Sequence, residues 1–410
     1  MALLPLEGIR VLDFTWVVAG PVATRILADH GAEVIKLERR PGPLGSRQTG
    51  LQGELHRNKR SIAVNMSHPR GIEIARRLAR LSDLVMDNFS ARVMRGWGMD
   101  YASLSPIKPD IISISMSGLG HTGPRASYVS YGPTLQALGG YTLLMAEASG
   151  APAGFGYSYA DMCGGYTGAL AALIALWHRR RTGQGQFVDL SQFEAVTSVI
   201  GPALLDIAVN GREQSPPQYR SQEAPAAPHG VYRCLPLRET ADSARRGHSE
   251  DDDRWIAISV GTQAEWERFV AAIGAPAWTG AAKFRTLYLR IRNSAELDEN
   301  VTRWTLAQDA EEAMARLQSA GVAAGVVCNG ADLCARNPQL QARNFWSTVT
   351  LPDGATTRVT GIPAHSSPPL ASIRTPSPLI GSANEYVLGE LLGHDAAVRA
   401  ELIACGAVWE

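Results

Sequence analysis

The first 120 residues alternate between two hydrophobic patterns, and this alternation constrains the fold more than any other feature of the sequence. Apolar runs of strand length occupy residues 9–14, 33–37, 84–86 and 111–116. Helical patterns separate them at residues 22–30 and 69–81, and Pro21 stands where it suits the first turn of a helix. Because strands joined through a helix run parallel, the pattern predicts an α/β fold built on a doubly wound parallel sheet.

The same pattern predicts where a ligand would bind. In an open parallel sheet, ligands lie beyond the carboxyl ends of the strands, which here are the loops after Phe14, Leu37, Asp87 and Met116. The loop at residues 15–19 leaves a strand and opens a helix, so its free backbone N–H groups suit an anionic group or a developing oxyanion. It has no GxGxxG fingerprint and gives no indication of NAD binding. An ordinary turn is the alternative interpretation.

Changes in composition divide the rest of the chain. Residues 128–158 are rich in Gly, Ala, Ser and Tyr, and residues 162–181 form a helical pattern that closes with basic residues and Gly183. Residues 213–228 hold four prolines, which predicts a linker, and the charged stretch at 238–254 predicts a solvated loop. A second set of strands and helices begins at Trp255, where Thr262 and Glu265 form a capping-box pattern.

Charge and cysteine content exclude several classes of protein. Lys and Arg total 39, as do Asp and Glu, and this zero net charge argues against a dedicated nucleic-acid binder. The five cysteines include no CxxC pair, so neither a structural zinc site nor a disulfide framework is expected, and a reducing cytoplasm fits. The nine histidines lack metal-ligand spacing, and neither HExxH nor GxSxG occurs. We therefore expect no metal and no serine-hydrolase chemistry.

No segment predicts export or membrane insertion. The N-terminus lacks the charged and apolar regions of a signal peptide. The longest uncharged apolar pattern, residues 162–177, contains Gly164, Gly165 and Gly168 and falls short of the ~20 residues that a membrane span needs. We expect it to be a buried core helix of a cytoplasmic protein.

A basic stretch lies at the predicted ligand edge. Residues 36–60 hold seven Lys and Arg against two Glu. Arg39 and Arg40 follow the second predicted strand directly, where guanidinium groups suit phosphates. A solvated charged loop is the alternative.

Asp161 begins the long helical pattern. An aspartate in that place is usually an N-cap. The same place keeps a carboxylate ionised and usable as a nucleophile, and Gly164 and Gly165 would leave room for a substrate.

A set of short motifs runs in a fixed order along nearly the whole chain. They are residues 6–13 (LEGIRVLD), 19–21 (AGP), 27–36 (LADHGAEVIK), 58–62 (NKRSI), 88–89 (NF), 117–124 (SGLGHTGP), Asp161, 182–186 (TGQGQ) and 338–343 (PQLQAR). Together they resemble the family III CoA-transferases, a group that includes formyl-CoA and carnitine CoA-transferases and α-methylacyl-CoA racemases. Each motif is weak alone, whereas the ordered set is highly specific.

The resemblance implies a Rossmann-like parallel sheet in a large domain plus a smaller α/β domain, assembled as an interlocked homodimer. The large domain would comprise residues 1–212 and a returning segment, 336–410, that completes it. Residues 213–228 would be the linker and 229–335 the small domain. The substrates would be an acyl-CoA and a free carboxylic acid, so CoA would be part of a substrate and no cofactor would be bound permanently.

The resemblance also implies site residues. The family nucleophile falls on Asp161, and Ala19 falls on a backbone contact near the thioester. The family's arginine position is occupied by Gly96, so Arg92 or Arg95 would replace it. The positions implied to contact CoA are Val17, Val18, Arg39, Val64, Asn88, Phe89, Arg95, Ser117 and Gly118.

Departures from the family pattern narrow the function. Formyl-CoA transferase carries His and Gln in its first loop where this chain has Trp16 and Val18, which favours a larger or less polar acyl group than formyl. No run of glycines after residue 240 matches that enzyme's lid, so oxalate chemistry is disfavoured. Racemases of the family place a His before the Asp, but residues 130–133 read SYGP. Because racemisation needs a second proton carrier and an unperturbed Tyr131 would titrate near ~10, transfer is favoured.

The sequence therefore predicts an acyl-CoA:carboxylate CoA-transferase that works through aspartyl-anhydride and aspartyl-CoA intermediates on Asp161. Two alternatives stay open. One is a racemase or isomerase of the same fold that uses Asp161 as a base, and the other is a non-catalytic CoA-binding protein in which Asp161 is only a cap. Succinyl-CoA or acetyl-CoA as donor, with a medium-sized organic or aromatic acid as acceptor, is compatible with the sequence.

Overall fold

The chain forms two compact units in a computed structural model that describes residues 3–39, 50–146, 151–154, 156–211, 225–236 and 253–409. The first unit comprises Met1–Met145, Pro152–Leu204 and Gln339–Glu410, and the second comprises Ala146–Ala151 and Leu205–Pro338. Arg40, residues 213–224 of the predicted linker and most of the predicted solvated loop lie outside the described residues.

A six-stranded sheet forms the centre of the first unit. Its neighbours all pair parallel, in the order β3-β2-β1-β4-β5-β6. This confirms the predicted doubly wound sheet. The sheet also contains β3, which the hydrophobic pattern did not predict because its first two residues are charged. The strands are β1 (Arg10–Asp13), β2 (Glu33–Glu38), β3 (Lys59–Ala63), β4 (Leu84–Asp87), β5 (Ile112–Ser115) and β6 (Gln186–Asp189).

Helices cover the sheet on both faces. Strand side chains alternate, so Val11 and Val34 pack on one face with α1 and α8, whereas Leu12 and Ile35 pack on the other with α3. The described residues before Gly211 contain α1 (Ala19–Asp29), α2 (Gly50–His56), α3 (Pro69–Arg80), α4 (Ala91–Trp97), α5 (Tyr101–Leu104), α6 (Gly132–Leu138), α7 (Tyr141–Leu144), α8 (Tyr159–Thr182), α9 (Gln192–Val199) and α10 (Gly201–Asn210).

The long helix α8 packs against α1 through glycine and alanine. Gly165, Gly168, Ala169 and Ala172 lie on its buried face or at its contacts with α1 and β5. By length and composition α8 is long and apolar enough to cross a membrane, as is the bent pair α9–α10 counted as one span. Of its most apolar window, 44% is buried inside the fold, so one face of the predicted core helix packs in the core, whereas apolar residues on the other face, such as Leu170 and Trp177, are exposed.

The second unit is built on a three-stranded antiparallel sheet in the order β7-β8-β9. Its core packs Ile258, Phe269 and Leu297 together, and Thr262 and Glu265 form the predicted capping box. Its strands are β7 (His229–Arg233), β8 (Trp255–Ser259) and β9 (Ala323–Val326), and its helices are α11 (Gln263–Ala272), α12 (Leu287–Arg292), α13 (Ser294–Thr305) and α14 (Ala310–Ser319), with short 3₁₀ turns at Ala277–Gly280 and Ala282–Phe284 and a π-turn at Asp332–Arg336.

The C-terminal segment packs on the first unit's sheet. Val387, Leu388 and Leu402 join the core on the α3 face, and Val64 forms a bridge with Val408 just beyond β3. The segment contains α15 (Pro338–Ala342), the hairpin β10 (Trp346–Thr350) and β11 (Thr356–Thr360), a π-turn at Tyr386–Leu391 and α16 (Ala396–Ala404).

Candidate active site

A single side chain joins the loop after β1 to the loop after β4. Asn88 donates from Nδ2 to the carbonyl oxygen of Trp16 at 2.8 Å and accepts the Trp16 N–H at Oδ1 at 2.9 Å. The strand order reverses between β1 and β4, so this clamp lies at the crevice where an open parallel sheet binds its ligand. The amide of Asn88, a predicted CoA contact, is therefore engaged with the protein's own loop.

The clamped loop presents unsatisfied backbone donors. Val17 adopts a left-handed conformation with a φ of 62°, and Val18 is the N-cap residue of α1 without a side-chain cap. In the described part of the chain, no acceptor takes the N–H groups of Val17, Val18 and Ala19. Because these donors stand at a helix N-terminus with no acidic residue in its first turn, they suit a developing oxyanion.

An aromatic row lies beside this loop. The Phe89 ring lies 5.9 Å from that of Trp16 and meets Trp97 edge-on at 5.6 Å, and Trp97 in turn lies 6.2 Å from Phe14. Trp16 is 46% exposed. The row therefore offers an apolar surface at the crevice, with Phe89, another predicted CoA contact, half-buried in its middle.

A buried ionic network supports the loop from below. Asp13 Oδ1 accepts the N–H and hydroxyl of Thr15 at 2.8 and 2.6 Å, and its Oδ2 accepts Thr24 Oγ1 at 2.8 Å and Lys59 Nζ at 3.1 Å. Lys36 donates to the Thr15 carbonyl. Burial raises the pKa of Asp13, but Lys36, Lys59 and the two hydroxyls outweigh burial and lower it. Burial lowers the pKa of Lys59, an effect that Asp13 opposes.

Much of the basic stretch predicted to meet phosphates is internal. Lys36, Arg57 and Lys59 are all buried, and Arg57 pairs with Asp29 at 2.8 Å and with Glu54 at 2.9 Å. Arg39, one of the two residues predicted to meet phosphates, is exposed, and Arg40 lies outside the described residues, so that contact stays a prediction. Net charge along a sequence does not reveal which cations have carboxylate partners inside the fold.

The end of β4 carries a second buried carboxylate. Asp87 accepts the Ser115 hydroxyl at 2.6 Å and the Phe89 N–H at 3.0 Å. Burial raises the pKa of Asp87 to about 7, because these two hydrogen bonds only partly offset the loss of water. Asp87 thereby ties the start of the Asn88–Phe89 loop to β5.

Ser117 and Gly118 form the turn after β5. Their carbonyl oxygens accept the N–H groups of Gln192 and Phe193, at the start of α9, at 3.1 and 2.9 Å. A Cβ on Gly118 would lie 1.8 Å from the hydroxyl oxygen of Ser130 and 3.2 Å from its Cβ, so the two loops approach each other closely at this glycine. Ser117 is buried, and within the described structure its hydroxyl has no hydrogen-bond partner.

Asp161 lies in the first turn of α8 and is 8% exposed. The N-cap residue is Ser158, so the interpretation of Asp161 as the cap is wrong. The Ser158 hydroxyl donates to Oδ2 of Asp161. Burial raises the pKa of Asp161, and the hydrogen bond from Ser158 lowers it only in part. A carboxylate stripped of water in this way is a stronger nucleophile than one in solution.

Gly132, at the start of α6, closes one side of the Ser158–Asp161 pair. A Cβ added to Gly132 would lie 1.6 Å from Ser158 Oγ and 2.4 Å from Asp161 Oδ2. In the resemblance, residues 130–133 correspond to the stretch in which racemases carry their histidine. In this chain that stretch lies against Asp161 with Gly132.

The start of α1, which carries Ala19, contacts α8 at Gly165. This glycine lies one helical turn after Asp161, and a Cβ on it would lie 2.8 Å from the carbonyl oxygen of Ala19 and 2.6 Å from the side chain of Val22. The free amides at the start of α1 and the carboxylate of α8 therefore belong to one region of the first unit.

The remaining predicted CoA contacts differ in their exposure to solvent. Arg39, just after β2, is exposed, as are Arg92 and Arg95 on α4, so these guanidinium groups are accessible to an anion. The side chain of Val64 is buried in the core beneath the C-terminal segment. Among the described residues, no group of three or more His, Cys, Asp or Glu side chains is placed to hold a metal ion.

Sequence reasoning missed the role of Ser158. The signal was present as a serine three residues before Asp161, the spacing of a capping box. In such a box each side chain would bond to a backbone N–H, whereas here the serine hydroxyl bonds to the carboxylate itself.

Comparisons with known proteins identify the family of the chain. The model of CoA-transferase family III matches residues 6–384. A probable CoA-transferase, Rv1866 of Mycobacterium tuberculosis, is 30% identical over 97% of this chain, which spans half of that relative's length. The succinate–glutarate CoA-transferase of Agrobacterium fabrum is 29% identical over 94% of this chain and 96% of its own length.

A solved structure shares the architecture. The crystal structure of a CAIB/BAIF family protein from Brucella suis superposes with a TM-score of 0.82 at 26% identity, covering 95% of this chain and all of that protein.

Proposed function

Because the chain belongs to CoA-transferase family III, we propose that it moves CoA from a donor thioester to a free carboxylic acid, with Asp161 as the covalent nucleophile. The observation that carries this assignment is the buried Asp161 carboxylate, whose one hydrogen-bond partner in the described structure is Ser158. A structural N-cap would instead bond to backbone N–H groups. The donors of Val17–Ala19 lie nearby, across the α1–α8 contact.

The proposed cycle has four steps. An oxygen of Asp161 attacks the donor thioester carbonyl, which forms a mixed anhydride and releases CoA thiolate. The thiolate attacks Cγ of Asp161, which releases the donor acid and leaves an aspartyl-CoA thioester. The acceptor carboxylate attacks the same Cγ, which forms a second anhydride and releases the thiolate again. The thiolate then attacks the acceptor acyl carbonyl, which gives the new thioester and frees Asp161.

The loop after β1 supports this cycle. Each attack on an acyl carbonyl places negative charge on its oxygen. The unpaired N–H groups of Val17, Val18 and Ala19 can donate to that oxygen without reorganisation, because the Asn88 clamp and the Asp13 network already hold the loop. We propose that Arg39 and Arg95, both exposed, bind the phosphates of CoA.

We propose succinyl-CoA as the first donor to test, with short dicarboxylic acids as acceptors. The support is the relative from Agrobacterium fabrum, which is named for succinate and glutarate. The loop residues Trp16 and Val18 are apolar and supply no side-chain amide, which favours a larger or less polar acyl group than formyl.

One mass-spectrometric experiment tests the assignment. The protein is incubated in D2O with a panel of acyl-CoAs, beginning with succinyl-CoA, and of free acids, and all CoA thioesters are resolved. Transfer predicts new thioesters that pair CoA with the added acids and that disappear in Asp161→Asn. A one-deuteron gain without exchange of acids would instead show racemisation, and unchanged transfer by Asp161→Asn would exclude Asp161 as the nucleophile.

We also propose that the protein is a homodimer. Tyr166, Leu170, Leu173, Ile174 and Trp177 recur at helical spacing along α8, and all are exposed. They form the face opposite the glycine and alanine side that packs on α1. An apolar face of this extent marks an interface.

Light scattering after size exclusion measures the assembly. The wild-type protein is expected at twice the chain mass of 44.0 kDa, and Leu170→Glu with Ile174→Glu is expected to reduce the dimer. A wild-type monomer at micromolar concentration would exclude the proposal.

A further inference from the structure

We propose that Ser158 is a catalytic residue, whose hydroxyl stabilises the oxyanion that forms on Asp161 Oδ2 each time the aspartyl carbonyl is attacked. The inference rests on the covalent cycle proposed above and deepens it. It concerns a residue that neither the sequence patterns nor the resemblance assigned.

The two carboxylate oxygens of Asp161 have different roles in the proposed cycle. The attacking oxygen becomes the bridging oxygen of the anhydride, and the other becomes the carbonyl oxygen. When thiolate or acceptor carboxylate then adds to Cγ, the carbonyl electron pair moves onto that second oxygen. The charge returns to form the carbonyl again as the bridging oxygen or the thiolate leaves. Two of the four steps therefore need a donor at this aspartyl oxygen.

Among the residues that the structure describes, such a donor contacts one oxygen only. Ser158 Oγ donates to Oδ2, and in the described residues the carboxylate of Asp161 has no other hydrogen-bond partner. Oδ1 is thus left free to attack the donor thioester. Oδ2, the oxygen that would receive charge in the later steps, is already paired with a hydrogen-bond donor.

Local geometry explains why this hydroxyl points at the carboxylate. Ser158 is the N-cap residue of α8, yet its side chain takes no hydrogen bond from the helix backbone. Gly132 lies against both side chains, and a Cβ on it would come within 1.6 Å of Ser158 Oγ. The hydroxyl is therefore confined between α6 and Asp161, and it does not perform the capping that its position allows.

The hydrogen bond from Ser158 lowers the rate of one step of the cycle and raises the rate of others. It stabilises the resting carboxylate and so weakens the first attack slightly. It strengthens as full charge develops on a single oxygen, because charge-assisted hydrogen bonds are stronger than neutral ones. Removal of one oxyanion donor typically costs about 100- to 1,000-fold in rate, so the net effect on attack at Cγ is a large acceleration.

A single-turnover experiment isolates the first attack on Cγ. The enzyme is mixed with the donor that the panel identifies, beginning with succinyl-CoA, without an acceptor, and is quenched with acid. Formation of the CoA adduct on the peptide containing Asp161 is followed by mass spectrometry. We expect Ser158→Ala to form the adduct about 100-fold more slowly than wild type. Ser158→Thr, which keeps the hydroxyl, is expected to stay within about tenfold.

Controls separate this role from a structural one. Binding of a thioether analogue of the donor, which cannot react, is expected to be unchanged in Ser158→Ala. Ser198→Ala, on the exposed side of α9, removes a hydroxyl bonded only to Ala195 O and is expected to behave as wild type. Equal losses in Ser158→Ala and Ser158→Thr would overturn the proposal, because the hydroxyl would then not be responsible.

The outcome also distinguishes failure of the inference from failure of the cycle. If Asp161→Asn forms no adduct while Ser158→Ala forms it at the wild-type rate, the cycle stands and the role of Ser158 is refuted. If Asp161→Asn still forms a covalent CoA adduct, the proposed nucleophile itself is wrong.

Discussion

The contact between α1 and α8 allows two alanine substitutions to be compared one turn apart. A Cβ at Gly165 would lie 2.6 Å from Cβ and Cγ1 of Val22 and 2.8 Å from the backbone oxygen of Ala19. A Cβ at Gly168 would lie 2.5 and 2.6 Å from the methyl carbon and sulfur of Met116. The first obstacle is backbone and a stiff β-branched side chain, whereas the second is the end of a flexible one.

The expected difference in stability follows from these contacts. Replacing glycine by alanine inside a helix stabilises it by about 1 kcal/mol, and this gain is common to both sites. Overpacking a core costs about 1–3 kcal/mol where neighbours cannot move. Met116 can change rotamer and Ala19 cannot, so Gly165→Ala is expected to be about 1–3 kcal/mol less stable than Gly168→Ala.

Urea unfolding and steady-state kinetics measure the two consequences. Gly165→Ala is also expected to lower kcat for transfer by about tenfold or more, because it displaces Ala19 and the amides beside it from Asp161. Gly168→Ala is expected to keep kcat within about twofold of wild type, since the end of the buried Met116 side chain can move without moving the backbone. Equal free energies of unfolding for the two variants, or wild-type kcat in Gly165→Ala, would refute the packing argument.

Three further predictions concern the polar groups around the crevice. Lys59→Met removes one of the two lysines that act on the buried Asp13 and leaves Lys36, so it is expected to cost about 1–3 kcal/mol in urea unfolding. Asn88→Ala removes two hydrogen bonds to Trp16 and is expected to lower kcat/KM by about tenfold or more, with unfolding changed less. The carboxyl of Asp87 titrates near 3.8 when unfolded and near 7 when folded, so the native state keeps a proton that the unfolded state releases. Stability is therefore expected to fall as pH rises between these two values, and thermal melting across pH should show a flatter dependence for Asp87→Asn.

Local pattern accounts for much of the fold. The strands β1, β2, β4 and β5 were recognisable because buried parallel strands are continuous apolar runs. The helix α8 was recognisable because its apolar length and its terminal Gly183 are both local features. The strand β3 was missed because Lys59 is charged, although the fold buries it beside Asp13.

The candidate site was only partly predictable. Asp161 and Ala19 were identified from the set of motifs that occurs in the family's order. The structure brings the start of α1 against α8 at Gly165, one turn after Asp161. The clamp by Asn88 joins residues 72 positions apart in the chain, and no pattern of hydrophobicity or charge encodes such a pairing. The burial of Lys36 and Lys59 was not predictable for the same reason, since they contact Thr15 and Asp13, which are distant in sequence.

The sequence by itself determined the fold class, the family and the residue proposed as nucleophile, because periodicity and ordered motifs are properties of neighbouring residues. The tertiary structure alone decided which cations are internal, which amides stay unpaired, and which oxygen of Asp161 is bonded to Ser158. These features depend on which groups are buried and on where each hydrogen-bond donor points. They depend on where Gly132 and α1 lie against α8, and a linear chain holds that information only through the packing of its whole core.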